Sequence, residues 1–373
     1  MSTVRKVKRV SRPEMSLFPP EPETDSPETN TAAPPEITCV DRELIEKHPK
    51  TYTRSNIHIA LGDAMGMYDK WPAPVAIMVD GPYGVKGFPG DPPTPDGLPD
   101  WYEPHIKQWA ELATPQTTLW FWNTEVGWAL VHPVLAKYGW VYRGASVWNK
   151  GVGHIAGNVN TESIRRIPVV TEVCVHYVRE ARFNVNGNSL TMKEWLRHEW
   201  VRSGLPLFKT NEACGVLNAA TRKYFTQCHL WYYPPVEMFV KIAAYANKHG
   251  DPTGKPYFSL DGKKPLTGEE WEKMRAKFTC EHGVTNVWEH PPVRGQERLK
   301  NGLRAIHTNQ KPLKLVELTT RLCTDPGDVI WEPFGGLCTA GIAAFRLDRK
   351  CYCTEINEEF YQLAISRLAH YRK

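Results

Sequence analysis

Five apolar residues in a row, Val75, Ala76, Ile77, Met78 and Val79, stop abruptly at Asp80-Gly81-Pro82-Tyr83-Gly84. A continuous apolar run of this length, bounded by turn residues, suits a strand buried on both faces of a parallel sheet. Such a strand needs neighbours on either side and helices over both faces. The pattern supplies them. Residues 57–61 (ending at Gly62-Asp63), 118–122, 140–148 and 169–178 read as further strands, and 128–137 reads as a helix closed by Tyr138-Gly139. The pattern returns near the end. A helix over 313–322 leads through Asp325-Pro326-Gly327-Asp328 to a short strand at 329–331 and then Glu332-Pro333-Phe334-Gly335-Gly336. A helix over 339–347, a strand over 350–354 ending at Glu355 and a helix over 358–371 follow. Alternation of this kind predicts an α/β fold.

Composition narrows the class. Of 373 residues 41% are apolar and 23% charged, enough to bury a sizeable core in one large domain or two. The net charge of +5 permits a nucleic-acid partner without requiring one. Nine scattered cysteines, an odd number with no CxxC pair, argue against a disulfide framework and a structural zinc site. Cys280 and His282 are too isolated to form a metal clip, so no metal is expected. Free thiols suit a reducing compartment. No apolar run is long enough to span a bilayer, and the N-terminus lacks the apolar segment of a signal peptide. A cytoplasmic protein without membrane contact is expected.

Residues 1–37 read as a disordered tail, basic at Arg5, Lys6, Lys8 and Arg9 and then rich in Pro, Glu, Thr and Ser. Residues 38–180 and 306–373 carry the α/β pattern. Between them, residues 181–305 differ in character. Asn184-Val185-Asn186-Gly187 signals a turn, and Trp, Tyr, His, Lys and Arg recur at irregular spacing. We read this stretch as an inserted module. Residues 211–225 suggest a helix, a turn at Gly215 and a second helix presenting Asn218, Thr221, Arg222 and Lys223 outward, similar to a helix-turn-helix. Residues 231–235 (Trp-Tyr-Tyr-Pro-Pro) suggest a strand leading to a turn, its aromatics in a core. Arg294, Arg298, Lys300 and Arg304 form a basic stretch that suits either phosphates or a solvated face.

The segment around Glu332 has its own logic. A buried strand enters a glycine loop, where a ligand can approach the backbone closely, and then a helix N-terminus with free N–H groups. The next strand ends in Glu355, where an acidic residue commonly holds ribose hydroxyls in α/β folds. Asn309-Gln310-Lys311-Pro312-Leu313, Pro326-Gly327-Asp328, Glu332-Pro333-Phe334-Gly335-Gly336, Ala343-Ala344, Arg349 and Glu355 together closely resemble the C-terminal part of amino-methylating DNA methyltransferases. The order of parts resembles the β class, a circularly permuted motif order with the catalytic motif first, a target-recognition domain next and the cofactor loop last.

The resemblance implies a Rossmann-like methyltransferase sheet that binds S-adenosylmethionine. It implies that Phe334, Gly336 and Thr339 shape the methionine and ribose pocket and that Glu355 takes the ribose hydroxyls. Asn309, Lys311 and Pro312 would lie at the methionine-binding helix start, and Asp63 near the adenine ring. Glu332 stands in the same set, where relatives usually carry Asp, and Cys338 stands where they usually carry Gly.

Asp80-Gly81-Pro82-Tyr83 resembles the family's (Asp/Asn/Ser)-Pro-Pro-(Tyr/Phe/Trp) catalytic loop, with Gly81 in place of the first proline. An exocyclic amine is a poor nucleophile because its lone pair is delocalised into the ring. Two acceptors, the Asp80 carboxylate and the Gly81 carbonyl, would hold its N–H groups, and Tyr83 would stack on a base flipped out of the duplex. The expected substrate is double-stranded DNA, with adenine N6 favoured and cytosine N4 the alternative. A non-catalytic DNA-binding paralogue is a second alternative, motivated by Gly81 and Cys338. Phe88-Pro89-Gly90-Asp91-Pro92 suggests a loop over the site. Trp148 and Lys150 resemble the family's Trp-x-Lys, and Thr171-Glu172 its His-Glu pair. The family leaves open a homodimer, a nucleoid association and a cognate restriction endonuclease.

Overall fold

A computed structural model describes residues 50–85, 91–154, 163–165, 167–294, 297–298, 300–301, 304–305 and 309–371. The expected tail at 1–37 and residues 88–90 of the expected loop over the site lie outside the described residues. The first half contains β1 (Thr51–Arg54), β2 (Ile57–Leu61), β3 (Ala76–Val79), α1 (Leu98–Leu112), β4 (Thr118–Asn123), α2 (Glu125–Lys137), β5 (Trp140–Asn149) and β6 (Thr171–Arg179). The middle stretch contains β7 (Phe183–Val185), β8 (Asn188–Leu190), α3 (Met192–Arg202), α4 (Lys209–Cys214), α5 (Ala219–Tyr224), α6 (Val236–His249), α7 (Gly268–Glu272), β9 (Val287–Glu289), β10 (Lys300–Asn301) and β11 (Arg304–Ala305). The last part contains α8 (Leu313–Cys323), β12 (Val329–Glu332), α9 (Thr339–Arg346), β13 (Lys350–Glu355) and α10 (Glu358–His370).

Nine strands form one sheet in the order β1-β2-β13-β12-β3-β4-β6-β5-β9. The five central strands from β2 to β4 are parallel, while β6 runs antiparallel to both β4 and β5. This is the Rossmann-like methyltransferase arrangement. The sequence pattern located these strands but not the reversal of β6, because a strand's direction is set by its partners. Ala76 and Met78 face one core with residues of α8, α9 and α10, whereas Ile77 and Val79 face the other with α1 and α2. Both faces of β3 are therefore covered, which is why its run is unbroken rather than alternating.

The pairing that matters most joins β3 to β12, with Ile330 opposite Ala76 and Trp331 opposite Ile77. It sets the loop after β3 beside the loop after β12, although the two are some 250 residues apart in sequence. The chain runs outward in opposite directions from this pair, so a crevice opens at the carboxyl ends of the strands, where such sheets bind ligands.

The middle stretch builds a third core around Trp195, Trp200, Phe225, Phe239, Phe258 and Trp271. Asn186 and Gly187 turn the β7–β8 hairpin with positive φ of 51° and 83°, as their sequence predicts. The chain then returns, and β9 extends the large sheet beside β5. The strand expected at 231–235 is absent. Pro234 and Pro235 carry no N–H for a ladder; instead Tyr233 stacks on Trp271, whose indole N–H donates to the Pro234 carbonyl at 2.9 Å. Of its aromatics, Tyr232 is exposed. No helix among the described residues is long and apolar enough to cross a membrane.

Candidate functional site

A cavity of about 880 Å³ opens over the β3–β12 crevice, within the usual size range of small-molecule sites. Its lining includes Gly62, Asp63, Asp80, Gly81, Pro82, Tyr83, Asn309, Phe334, Gly336 and Glu355. Nine of the expected site residues therefore meet in one space, from five separate parts of the chain.

The loop after β3 is fixed from both sides. The Pro82 carbonyl accepts from the Tyr102 hydroxyl on α1 and from Asn123 Nδ2 at the end of β4, both at 3.0 Å. Neither Tyr102 nor Asn123 was singled out by sequence. Asn123 carried a signal, a polar residue at the carboxyl end of an apolar strand; Tyr102 carried none.

Asp80 sits in a compact group of four charges. Lys311 Nζ donates to Asp80 Oδ1 at 2.6 Å and lies 3.4 Å from Glu172 Oε2. Lys150 in turn pairs with Glu172 Oε1. The Tyr83 hydroxyl is within reach of both Asp80 Oδ1 (3.2 Å) and Glu172 Oε2 (3.1 Å), sharing its one proton between them. Two carboxylates and two ammonium groups leave the group neutral, the arrangement that makes buried charge tolerable. Enclosure raises the Asp80 carboxyl above its ordinary value, and Lys311 works against that rise. Burial also acts to raise Glu172, but Lys311 and Lys150 outweigh it and hold Glu172 low. Burial acts to lower Lys311, yet Asp80 and Glu172 keep it above its ordinary value. Tyr83 is raised well above its ordinary value by burial and the two carboxylates, so it stays neutral.

Glu355 lines the same cavity. Its carboxylate accepts from the amides of Gly336 and Asn357, each at 2.7 Å, which ties the β12 loop to the end of β13. Burial raises its carboxyl, with a smaller contribution from nearby Asp91. Phe334 is fenced by Trp101, Tyr102, His105 and Trp109, with ring centroids 5.1–6.2 Å away.

Other expected site residues have structural partners. Both oxygens of Glu332 accept, at 2.8 Å, from the amides of Ala340 and Gly341 in the first turn of α9. The Glu332 carboxyl, fully enclosed, is pushed up to about 7 by burial. Its side chain and the thiols of Cys338 and Cys353 lie within 4.8 Å of one another. Cys338 precedes α9 in the left-handed region at φ 55°, which gives a physical reason for glycine at this position in relatives. Thr339 Oγ1 accepts from Arg367 at 2.9 Å. Lys311, Glu332 and Thr339 line a second, narrow space of about 40 Å³ that shares Asp80, Asn309, Phe334 and Gly336 with the main cavity, and Pro312 caps α8 without lining either space. Trp148 is a core residue, packed on Trp122 and donating to the His290 carbonyl at 2.6 Å.

In the middle stretch, the helix–Gly215–helix expectation holds, with Gly215 at φ 68°, but each helix is only six residues long. Asn218, Arg222 and Lys223 are exposed. Thr221 does not face outward as expected. Its hydroxyl bonds Thr210 Oγ1 at 2.6 Å and donates to the Leu207 carbonyl at 3.1 Å, because α5 turns this face towards the start of α4, where its amide also donates to Asn211 Oδ1.

The family model N6_N4_Mtase, described as DNA methylase, matches residues 75–366. A DNA adenine methyltransferase of Escherichia coli (strain K12), YhdJ, is 30% identical over 150 residues, 37% of this chain and 46% of that protein. Type II methyltransferase M.ScaI of Streptomyces caespitosus is 28% identical over 116 residues, 30% of this chain and 38% of its own length. The matched stretches thus span less than half of these relatives. Among solved structures, the cytosine-N4-specific PvuII DNA methyltransferase is similar with a TM-score of 0.49 at 13% identity, covering 85% of this chain and 87% of that one. The M1.HpyAVI–SAM complex is similar with a TM-score of 0.41 at 17% identity, covering 84% and 99%.

Proposed function

The chain belongs to the N6/N4 DNA methylase family, and on that premise we propose that it transfers a methyl group from S-adenosylmethionine to adenine N6 of a base flipped out of double-stranded DNA. The observation that carries this reading is the junction of Asp80 and Glu355 in one cavity. A candidate acceptor for an amine and a candidate ribose ligand open onto the same space.

The residues present fit the methyl donor. The cavity is lined by Asp63, Asp80, Asp91, Asp100 and Glu355, with no Lys or Arg among the described lining residues. Burial lowers the pKa of His105, also in the lining, to about 4, so it adds no positive charge near neutrality. Such a lining suits a cationic molecule and is a poor match for a phosphate. Glu355 would hold the ribose hydroxyls, Phe334 the flat apolar part, and Asp63 the adenine end. The donor supplies an electrophilic methyl on a sulfonium.

The protein's part is to hold the amine. Asp80 and the Gly81 carbonyl accept its two N–H groups and favour a pyramidal nitrogen aimed at the methyl. Transfer would join the methyl to the nitrogen lone pair and leave the S–C electrons on sulfur, and the Asp80 carboxylate would take the proton that the nitrogen loses. Tyr83, kept neutral and fixed by its hydroxyl, offers a ring to the base. Adenine is favoured by Asp at the first motif position and by the similarity to an adenine enzyme. Arg222 and Lys223, exposed on α5, would meet phosphates, and Asn218 remains a candidate base contact. Thr221, turned inward, is withdrawn from that set.

Nucleosides from unmethylated DNA treated with the enzyme and S-adenosylmethionine should show N6-methyladenine by mass spectrometry. N4-methylcytosine would keep the mechanism and change the base. No methylated nucleoside, with DNA binding intact, would leave a non-catalytic DNA-binding protein.

The acidic lining also sets a pH dependence. Burial brings the Asp91 carboxyl up to about 6. It therefore ionises between pH 5 and 7, and a cation binds more tightly as it does. Donor affinity measured by calorimetry should rise about fivefold over that window, the scale of a ~1 kcal/mol interaction between charges in a wet site. Asp91→Asn should flatten the rise. A rise of the same size in the variant would assign it to another group.

A further inference from the structure

We propose that Lys311 is the positioning residue of the transfer step: it fixes Asp80 as a carboxylate through one oxygen so that the other faces the substrate amine. This inference rests on the reading of Asp80 as the amine's acceptor. The family resemblance assigned Lys311 to the methionine-binding helix start; the geometry points elsewhere.

Lys311 is 3% exposed at its side chain and lies outside the lining of the large cavity. Its ammonium donates to Asp80 Oδ1 at 2.6 Å, lies 3.4 Å from Glu172 Oε2, and is 3.4 Å from the Asn309 carbonyl. The rings of Tyr83 and Trp122 face it at 5.0 and 5.7 Å. These contacts leave it little room to swing towards a ligand.

All the described contacts to the Asp80 carboxylate fall on one oxygen. Lys311 and the Tyr83 hydroxyl both reach Oδ1, and Oδ2 has no donor among the described residues. About a third of the Asp80 side chain is open to the cavity. The carboxylate is thus oriented by Oδ1, with Oδ2 left for the amine. Pinning the acceptor before substrate arrives removes the entropy of orienting it later.

The groups facing Asp80 come from every side. They are Lys311 before α8, Glu172 on β6, Tyr83 in the same loop, Tyr102 on α1 and, behind Glu172, Lys150 after β5. With Lys311 removed, Asp80 would keep a second carboxylate beside it, and the remaining cation, Lys150, pairs with Glu172 and makes no described contact to Asp80. Two such groups cannot both stay ionised easily. A protonated Asp80 would present an O–H where an acceptor is needed.

The test uses the full chain with duplex DNA. Lys311→Met should lower kcat at pH 7 by roughly 100-fold, the scale on which a displaced reacting group acts. The acidic limb of its pH–rate profile should move upward by at least about one unit, so the loss shrinks at high pH. Its affinity for S-adenosylmethionine, read by calorimetry, should stay within about threefold, which also reports a folded protein. Lys311→Arg should keep the wild-type profile. In an Asp80→Asn background, where the side chain carries no charge to hold, Lys311→Met should cause no further loss.

A parallel loss of cofactor affinity in Lys311→Met would overturn the proposal in favour of a cofactor ligand. So would an unmoved pH profile, or losses that multiply in the double variant. Full activity in Asp80→Ala would instead sink the underlying reading of Asp80, a distinct outcome.

Discussion

Asp80→Ala is expected to lower kcat by roughly 10²–10³-fold or more while changing DNA affinity little. The estimate follows from what removal of one preorganised charge-stabilising group does in other enzymes. An amine held by a carboxylate gains a hydrogen bond worth roughly 1.5–3 kcal/mol, and only the share that strengthens at the transition state appears in kcat. The fold should survive. Lys311 keeps Glu172 at 3.4 Å as its counter-charge, and Pro82 stays pinned by Tyr102 and Asn123. Single-turnover methylation of a duplex, with DNA affinity measured separately by anisotropy, reads both quantities. Turnover within tenfold of the wild type would remove Asp80 from the reaction. An equal loss of DNA binding would point to a general failure of the site.

Gly81→Ala is expected to lower both thermal stability and donor affinity, although alanine is a smaller step than the proline that relatives carry there. A Cβ on Gly81 would stand 2.6 Å from the Phe334 ring and 2.6 Å from the Tyr102 hydroxyl. Neither neighbour can yield freely. Tyr102 is buried and bonded to Pro82, and Phe334 is held by Trp101, His105 and Trp109. Overpacking of this kind costs about 1–3 kcal/mol. The shift would fall on Phe334, which lines the cavity proposed for the donor. Differential scanning fluorimetry and calorimetric titration with S-adenosylmethionine read the two effects. Phe334→Leu added to Gly81→Ala should recover stability relative to Gly81→Ala alone. An unchanged melting temperature and affinity in Gly81→Ala would show that the loop relaxes without strain. The departure from the family motif is therefore matched by a local fit: the aromatic wall comes as close to the loop after β3 as only glycine allows.

Much of the site was legible in the chain. Strand runs such as 75–79 end in loops of Asp, Gly and Pro, and strand burial and turn chemistry are local properties. The unit from Glu332 to Glu355 carries its strand, loop, helix and acidic end within two dozen residues. Placement of Asp63, Asp80, Phe334, Gly336 and Glu355 around one cavity followed from putting those loop ends at one edge of a sheet. The expected strand at 231–235 failed because aromatic residues suggested a ladder that two prolines cannot join. The outward face given to Thr221 failed because a six-residue helix packs by what its neighbour offers rather than by periodicity.

By itself, then, the sequence determined an α/β chain of this family and which loops follow its buried strands, since each is written in residues close together. Only the tertiary structure decided which charges meet. Lys311 reaches Asp80 across 231 residues, and Glu172 joins them only because β6 enters the sheet antiparallel beside β4. Glu332 proved to accept from two α9 amides, and Gly81 to be a close-packing position against Phe334. Contacts between distant segments depend on register and on the exact approach of side chains across strands. A difference of an ångström there changes which oxygen is pinned and which is free, and no local pattern of residues encodes it.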